Sequence, residues 1–144
     1  LLIGGGKLEH ELKDQISRLG LKGRVILGGK KEPSPPYIKA FDIGVLTSDS
    51  EGFSNVLLEY MAAGLPVVAT DVGGNREIIR NQGLGHLVPN GDWAALAQSI
   101  CNLLDDNTHR RELGVNAREN VVEHYSWDKR IRDVESYYEE LLEL

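Results

Sequence analysis

A single cysteine, Cys101, stands among the 144 residues, so no disulfide can close within the chain. With no second Cys and only four scattered His, a structural zinc site has too few ligands. The lone thiol fits a reducing cytoplasm, the compartment expected here. No apolar run approaches the roughly 20 residues of a membrane span. An internal repeat and a low-complexity linker are also lacking, as is an initiator Met: the chain opens at Leu1, directly on a strand-like run. That opening reads as one domain, residues 1–144, cut from a longer chain. Positive charge is short too, with 16 Lys and Arg against 22 Asp and Glu, a net charge of −6. Residues 101–144 hold 11 acidic and 6 basic side chains, so the body before them is nearly neutral. Such a surface lacks the clustered Lys and Arg that phosphate backbones require, and nucleic acid is not an expected partner.

What is present is ordinary for a folded globule: 41% apolar and 26% charged residues. Glycine is in excess, 16 residues, and the glycines punctuate an alternation of strands and helices. Short apolar runs predict strands over 1–3, 25–27, 43–47, 66–70 and 85–88. Leu8, Leu12, Ile16 and Leu19 share one helical face, ended by Gly20. A short helix is predicted over 36–40, opened by Pro36. Ser54 or Asn55 caps a helix running to about Ala63, with Gly64 and Pro66 as stop signals. Further helices are predicted over 77–80, from Asp92 as cap through Leu104, and through the last 40 residues, where Ser126 caps a final helix. Ile131, Val134, Tyr138 and Leu141 lie on one face of that helix, and part of this face is expected to stay exposed. Cys101 reads as core, His86 as the edge of a strand, and His10, His109 and His124 as solvated. Strand–helix alternation with doubly apolar strands implies an α/β fold: a Rossmann-like parallel sheet with helices on both faces, ending in C-terminal helices. Ligands of such folds sit at the C-terminal strand ends. The loops Gly4-Gly5-Gly6, Gly28-Gly29, 48–55 and 72–75 all fall there.

The richest stretch runs from Thr47 to Pro66. Glu51 and Glu59 stand eight residues apart with a helix start between them. On a helical rise that spacing is about 12 Å along the axis, with the side chains about 80° apart around it. Glycosidase acid/base pairs sit roughly 5–9.5 Å apart, so the spacing suits the two ends of an extended ligand better. Between the carboxylates, Gly52, Phe53, Ser54 and Asn55 lie at a helix N-terminus, where free N–H groups and the dipole favour a phosphate. Gly52 leaves the backbone open to close approach. Two hydroxyl-binding carboxylates around an anion-binding helix start describe a nucleotide-diphospho-sugar site. Taken alone, Glu51 could instead be a helix-capping acid, Glu59 a solvated helix residue, and the Gly-Gly pairs plain turns.

The stretch resembles the Glu-x7-Glu signature of retaining glycosyltransferases of the two-Rossmann-domain (GT-B) type, family 4 in particular. Glu51-Gly52-Phe53, Leu57-Leu58-Glu59, Met61-Ala62-Ala63-Gly64, Pro66-Val67-Val68-Ala69-Thr70, Val72-Gly73-Gly74 and Leu87-Val88-Pro89 fit that family's C-terminal domain. The resemblance spans about residues 1–127 and implies a donor-binding domain. Glu51 would face the hydroxyls of the transferred sugar as the catalytic-site residue, and Glu59 the ribose. Backbone amides around Gly52, Phe53, Ser54 and Asn55 would meet the sugar and distal phosphate. Gly4, Gly5, Gly6 and Gly28 would approach the donor, with the base near residues 28–32. The donor would be a UDP- or GDP-sugar; neither a metal nor a cofactor is implied, and configuration would be retained. The acceptor is undefined, since the resemblance places it on a preceding domain, together with a first strand and an Arg/Lys clamp on the diphosphate, all upstream of Leu1. Without these the fragment alone is expected to be inactive. A cytoplasmic enzyme is implied, with attachment to the inner membrane face left to the preceding domain. Two alternatives stay open: a non-catalytic nucleotide- or sugar-binding module or partner subunit, and a nucleotide-sugar epimerase.

Overall fold

The computed structural model describes residues 1–32 and 35–142. They form two compact units, Leu1–Tyr37 and Ile38–Leu144. In the first unit the runs 1–3 and 25–27 meet through one parallel bridge, Leu2 to Leu27. Leu2 N–H donates to Ile26 O and Gly28 N–H to Leu2 O, each at 2.8 Å. Two full strands were expected; among the described residues the two runs form this bridge and no strand, with one further bond from Gly4 N–H to Gly29 O at 3.0 Å between glycines that both take positive φ. A Cβ on Gly28 would press on Ile3, so this glycine serves the contact between the two runs. Helix α1, Glu9–Arg18, buries none of its residues.

Helix α2 covers Pro35–Ile38, and the second unit carries β1 (Gly44–Leu46), α3 (Asn55–Ala62), β2 (Val67–Thr70), α4 (Asn75–Ile78), β3 (His86–Val88), α5 (Trp93–Asp105), α6 (Asn107–Tyr125) and α7 (Trp127–Leu142). The strands pair in parallel in the order β1-β2-β3. Val45 stands opposite Val68, and Ala69 opposite Leu87. Every residue of β2 is buried. Val67 and Ala69 join a cluster with Leu57, Met61, Ile78 and Ala117, while Val68 joins Val88, Leu103 and Leu113. Successive residues of one strand therefore enter two different cores, which is how a parallel sheet covered on both faces uses a continuous apolar run. The fold is the expected Rossmann-like α/β arrangement, and it ends in the two expected helices.

The punctuation works locally as expected. Ser54 caps α3, accepting from Leu57 N–H at 3.3 Å. Asp92 caps α5 through Ala95 N–H at 2.9 Å, and Ser126 caps α7 through Lys129 N–H at 3.3 Å. Gly64 takes φ 77° after α3, where its N–H donates to Met61 O and that of Leu65 to Tyr60 O. A second demand shows at that corner: a Cβ on Gly114 would overlap the Gly64 carbonyl, so α6 crosses α3 only because position 114 has no side chain. Cys101 departs from expectation and is exposed. The inner face of α5 passes through Ser99 and Leu103, and Cys101 lies two residues, about 200°, from each. Helix α7 buries no residue; Trp127 is 82% exposed, and Ile131, Val134, Tyr138 and Leu141 are exposed with it. Among the described residues no helix is long and apolar enough to cross a membrane.

Candidate functional site

In the second unit, β1 and β2 lead at their C-terminal ends into two loops that are fastened to each other. Thr70, the last residue of β2, donates from Oγ1 to Ser48 O at 2.6 Å. Ser48 Oγ donates in turn to Glu51 Oε1 at 2.6 Å, a length typical of a hydroxyl bound to a charged carboxylate. Asn75 Nδ2 donates to Thr70 O at 3.0 Å. The side chain of Asn75 is fully buried, and its Oδ1 finds no partner among the described residues. A chain of polar contacts thus runs from the start of α4 through the end of β2 to the Glu51 carboxylate.

The backbone makes the second fastening. Gly74 N–H points at the Gly52 and Glu51 carbonyls, at 3.0 and 3.4 Å. A Cβ on Gly73 would overlap Glu51 O, and one on Gly74 would overlap Gly52 O. The Gly73-Gly74 pair therefore shapes more than its own turn: it lets two loops lie backbone to backbone. Across the same turn Asp71 and Arg76 form a two-pronged ion pair, with Arg76 Nη2 to Asp71 Oδ2 at 2.8 Å and Arg76 Nε to Asp71 Oδ1 as the other prong. The hydrogen bond from Arg76 holds the Asp71 carboxyl below its ordinary range. Arg76 is largely exposed, so the pair shapes the turn more than it stabilises the fold.

Glu51 lies three residues ahead of the Ser54 cap, off the helix. The capping-acid role falls to Ser54, and the helical rise used to space the two glutamates does not apply, because Gly52 and Phe53 turn the chain between them. Gly52 opens into free space. Phe53 is 42% exposed, Ser54 is buried beneath it, and Asn55 begins α3. Glu59 follows in the second turn of α3 on an exposed face. The structure therefore gathers Glu51, Gly52, Phe53, Ser54 and Asn55 into one loop and helix start, with Glu59 further along the same helix. Gly4, Gly5, Gly6 and Gly28 lie in the first unit, where Gly6 meets open space. Lys30 pairs with Glu32 at 2.6 Å, and Lys31 lies over the Tyr37 ring. Sequence reading missed the braces Ser48, Thr70 and Asn75; a hydroxyl or amide residue at a strand end was the only signal, and it is a common one. Among the described residues no three His, Cys, Asp or Glu side chains gather as a metal site would require.

A separate polar group lies at the other end of the sheet. His86 Nδ1 meets Ser99 Oγ at 2.7 Å, and the ring stacks on that of His109 with centroids 5.9 Å apart. Burial, and then the neighbouring His109, push the His86 imidazole below its ordinary value. The unfolded chain takes up a proton near pH 6.5 that the native ring resists. The contribution to stability is therefore complete above about that pH and is lost as pH falls toward the native value. The unfolding midpoint is expected to drop between pH 7 and 5, with a shallower slope in His86→Gln. Equal slopes in thermal melts would remove His86 as the cause.

Known proteins are similar to this chain in sequence and fold. Residues 1–106 match the model of the glycosyl transferases group 1 family. Over 142 residues the chain is 33% identical to N-acetyl-alpha-D-glucosaminyl L-malate synthase of Bacillus anthracis, covering 99% of this chain and 37% of that protein. It is 37% identical to phosphatidyl-myo-inositol mannosyltransferase of Mycobacterium leprae, covering 96% and 37%. Among solved structures, HepE of Anabaena in complex with UDP superposes with a TM-score of 0.87 at 29% identity, over 99% of this chain and 40% of that one. The same protein in complex with UDP-glucose gives 0.85 at 30% identity, over 99% and 40%. The chain thus spans about two fifths of the length of these relatives. Its sheet, its fastened loops and the matched residues make it a member of the glycosyl transferases group 1 family.

Proposed function

We propose that this chain is the nucleotide-sugar donor-binding domain of a retaining, family 4 glycosyltransferase of the GT-B type, and that the longer protein carrying it moves a sugar to an acceptor hydroxyl. The observation that carries the reading is the loop Glu51–Asn55, braced from Ser48 and from Gly73-Gly74 at the start of α3. The UDP and UDP-glucose complexes of the Anabaena relative support the donor class. In this reading Glu51 accepts from hydroxyls of the transferred sugar. Amides at Phe53, Ser54 and Asn55 meet the distal phosphate, where the N-terminus of α3 stabilises negative charge. Glu59 accepts from the ribose hydroxyls. In the first unit, taken by itself, donor contacts are assigned to the backbone at Gly4, Gly5, Gly6 and Gly28.

Transfer then proceeds on one face of the sugar, without a metal and without a covalent link to either glutamate. The departing phosphate oxygen takes the acceptor proton as the anomeric bond changes partner, so the acceptor oxygen replaces the phosphate with configuration kept. The protein's part is electrostatic: to steady the phosphate as it gains charge and to hold the sugar hydroxyls in place. The setting proposed is the cytoplasm or the inner membrane face, and the product a glycan, lipid or polysaccharide precursor.

Titration calorimetry with UDP and GDP on the full-length protein tests the reading. One of the two is expected to bind, and Glu59→Ala to weaken it at least about tenfold, as the loss of hydrogen bonds to a charged group does. Glu59 is exposed on α3, so the substitution is expected to leave the fold intact. Equal affinity in the variant would take Glu59 out of the nucleotide site.

A further inference from the structure

Tyr125, the last residue of α6, makes two contacts that neither the fold nor the donor reading has used. Its ring lies against Phe53, centroids 5.9 Å apart and the planes tilted by 48°. Its hydroxyl donates to Glu77 O at 3.1 Å. Phe53 belongs to the loop that presents Glu51, and Glu77 belongs to α4, the helix that follows the Gly73-Gly74 brace. One side chain, arriving from 48 residues further along the chain than Glu77, therefore touches the loop that presents Glu51 and the helix that follows the other loop. Tyr125 is also packed against the core cluster that contains Leu57, Met61 and Ala117. Immediately after it the chain breaks at Ser126 and begins α7.

Phe53 is an exposed aromatic of the loop that presents Glu51. Loops of this kind stay mobile unless something outside them reduces their freedom. Ser48 and Gly74 hold the loop at Glu51 and Gly52; on the far side of Gly52 the ring of Tyr125 supplies the support at Phe53. We propose that Tyr125 is a positioning residue for donor binding: by clamping Phe53 against the Gly73-Gly74 arm, it orders the Glu51–Ser54 loop for the sugar and distal phosphate. The proposal rests on the donor reading above. It makes a distinction that a general structural role does not. Tyr125 touches the sugar-facing loop at Phe53 and α4 at Glu77, whereas the ribose is assigned to Glu59 on α3. Its removal therefore acts mainly on the part of donor affinity that the sugar adds.

The experiment compares full-length wild type, Tyr125→Phe and Tyr125→Ala with UDP and UDP-glucose as the probes, alongside native-state amide exchange at residues 52–54 and 73–74. Tyr125→Ala is expected to lower affinity for UDP-glucose about tenfold, through loss of a ring contact and a hydrogen bond. UDP, which keeps the distal phosphate but lacks the sugar, should lose less, about threefold, and exchange at 52–54 should rise. Tyr125→Phe keeps the ring and the core packing, so it should recover most of the UDP-glucose affinity, while exchange at 73–74 alone stays raised. Equal losses for UDP and UDP-glucose, or unchanged exchange at 52–54 in Tyr125→Ala, would overturn the proposal while leaving the donor reading standing. Should the calorimetry above select GDP, GDP and GDP-mannose replace these probes; wild type that binds none of the four would overturn the donor reading, and this proposal with it.

Discussion

Gly73→Ala is expected to lower the unfolding midpoint by roughly 10 °C and to abolish measurable donor binding. Two costs add at this one position. Gly73 sits at φ 47°, a left-handed conformation that costs an ordinary side chain about 1–2 kcal/mol. Its new Cβ would also overlap the Glu51 carbonyl oxygen, which is backbone and has no rotamer to escape into. Overpacking of this kind costs about 1–3 kcal/mol, and at this chain length each kcal/mol moves the midpoint by several degrees. Relief requires the 51–53 loop to move off the Gly73-Gly74 arm, which breaks the hydrogen bonds from Gly74 N–H. Gly52→Ala provides the contrast. It enters open space at a φ that is not positive, so the melt should be unchanged, while the new methyl group obstructs approach to the helix start and weakens binding. A Gly73→Ala protein that melts and binds like wild type would show that the two loops are not held backbone to backbone.

The contrast explains what could be read from the chain and what could not. The alternation of elements was legible because each boundary carries its own local chemistry. Ser54, Asp92 and Ser126 sit where a hydroxyl or carboxylate can accept from an N–H three residues on, and Gly64 sits where a helix must turn left-handed. The run at 66–70 was legible as a strand from its apolar residues, and Val67, Val68 and Ala69 each have an apolar cluster to enter. Contacts that join distant residues left no such mark. Gly73 is needed because of an oxygen 22 positions earlier in the chain, and Gly114 because of one 50 positions earlier. Each looks in sequence like any glycine in a turn or, for Gly114, like a poor helix residue. Cys101 was misjudged by a smaller margin: an apolar helix face at 96, 100 and 103 leaves position 101 pointing outward, and only the exact phase of α5 decides it. The candidate site divides in the same way. Glu51 and Glu59, the residues proposed for recognition, could be picked out by pattern, whereas Ser48, Thr70 and Asn75, which brace the loop of Glu51, depend on pairings across the sheet.

Those braces allow the role of Glu51 to be tested without disturbing its loop. In Glu51→Gln the side-chain carbonyl can still accept from Ser48 Oγ, which lies 2.6 Å from the carboxylate in the native structure. The substitution therefore removes the negative charge and one acceptor while the fastening to Ser48 and Thr70 persists. If Glu51 serves sugar hydroxyls as charge develops on the sugar and phosphate, the loss falls on the transition state more than on the ground state. If the proposed donor is UDP-glucose, release of UDP from it by the full-length protein is then expected to slow about a hundredfold, the size of a lost hydrogen bond to a charged group. Affinity for UDP, which has no sugar at the far end, should remain within about twofold. Ser48→Ala should reproduce a milder form of the same change, because it keeps the charge and frees the carboxylate to wander. A fall in UDP affinity that matches the fall in turnover would place Glu51 at the nucleotide instead of the sugar. Unchanged turnover in both variants would remove the Thr70–Ser48–Glu51 relay from the chemistry altogether.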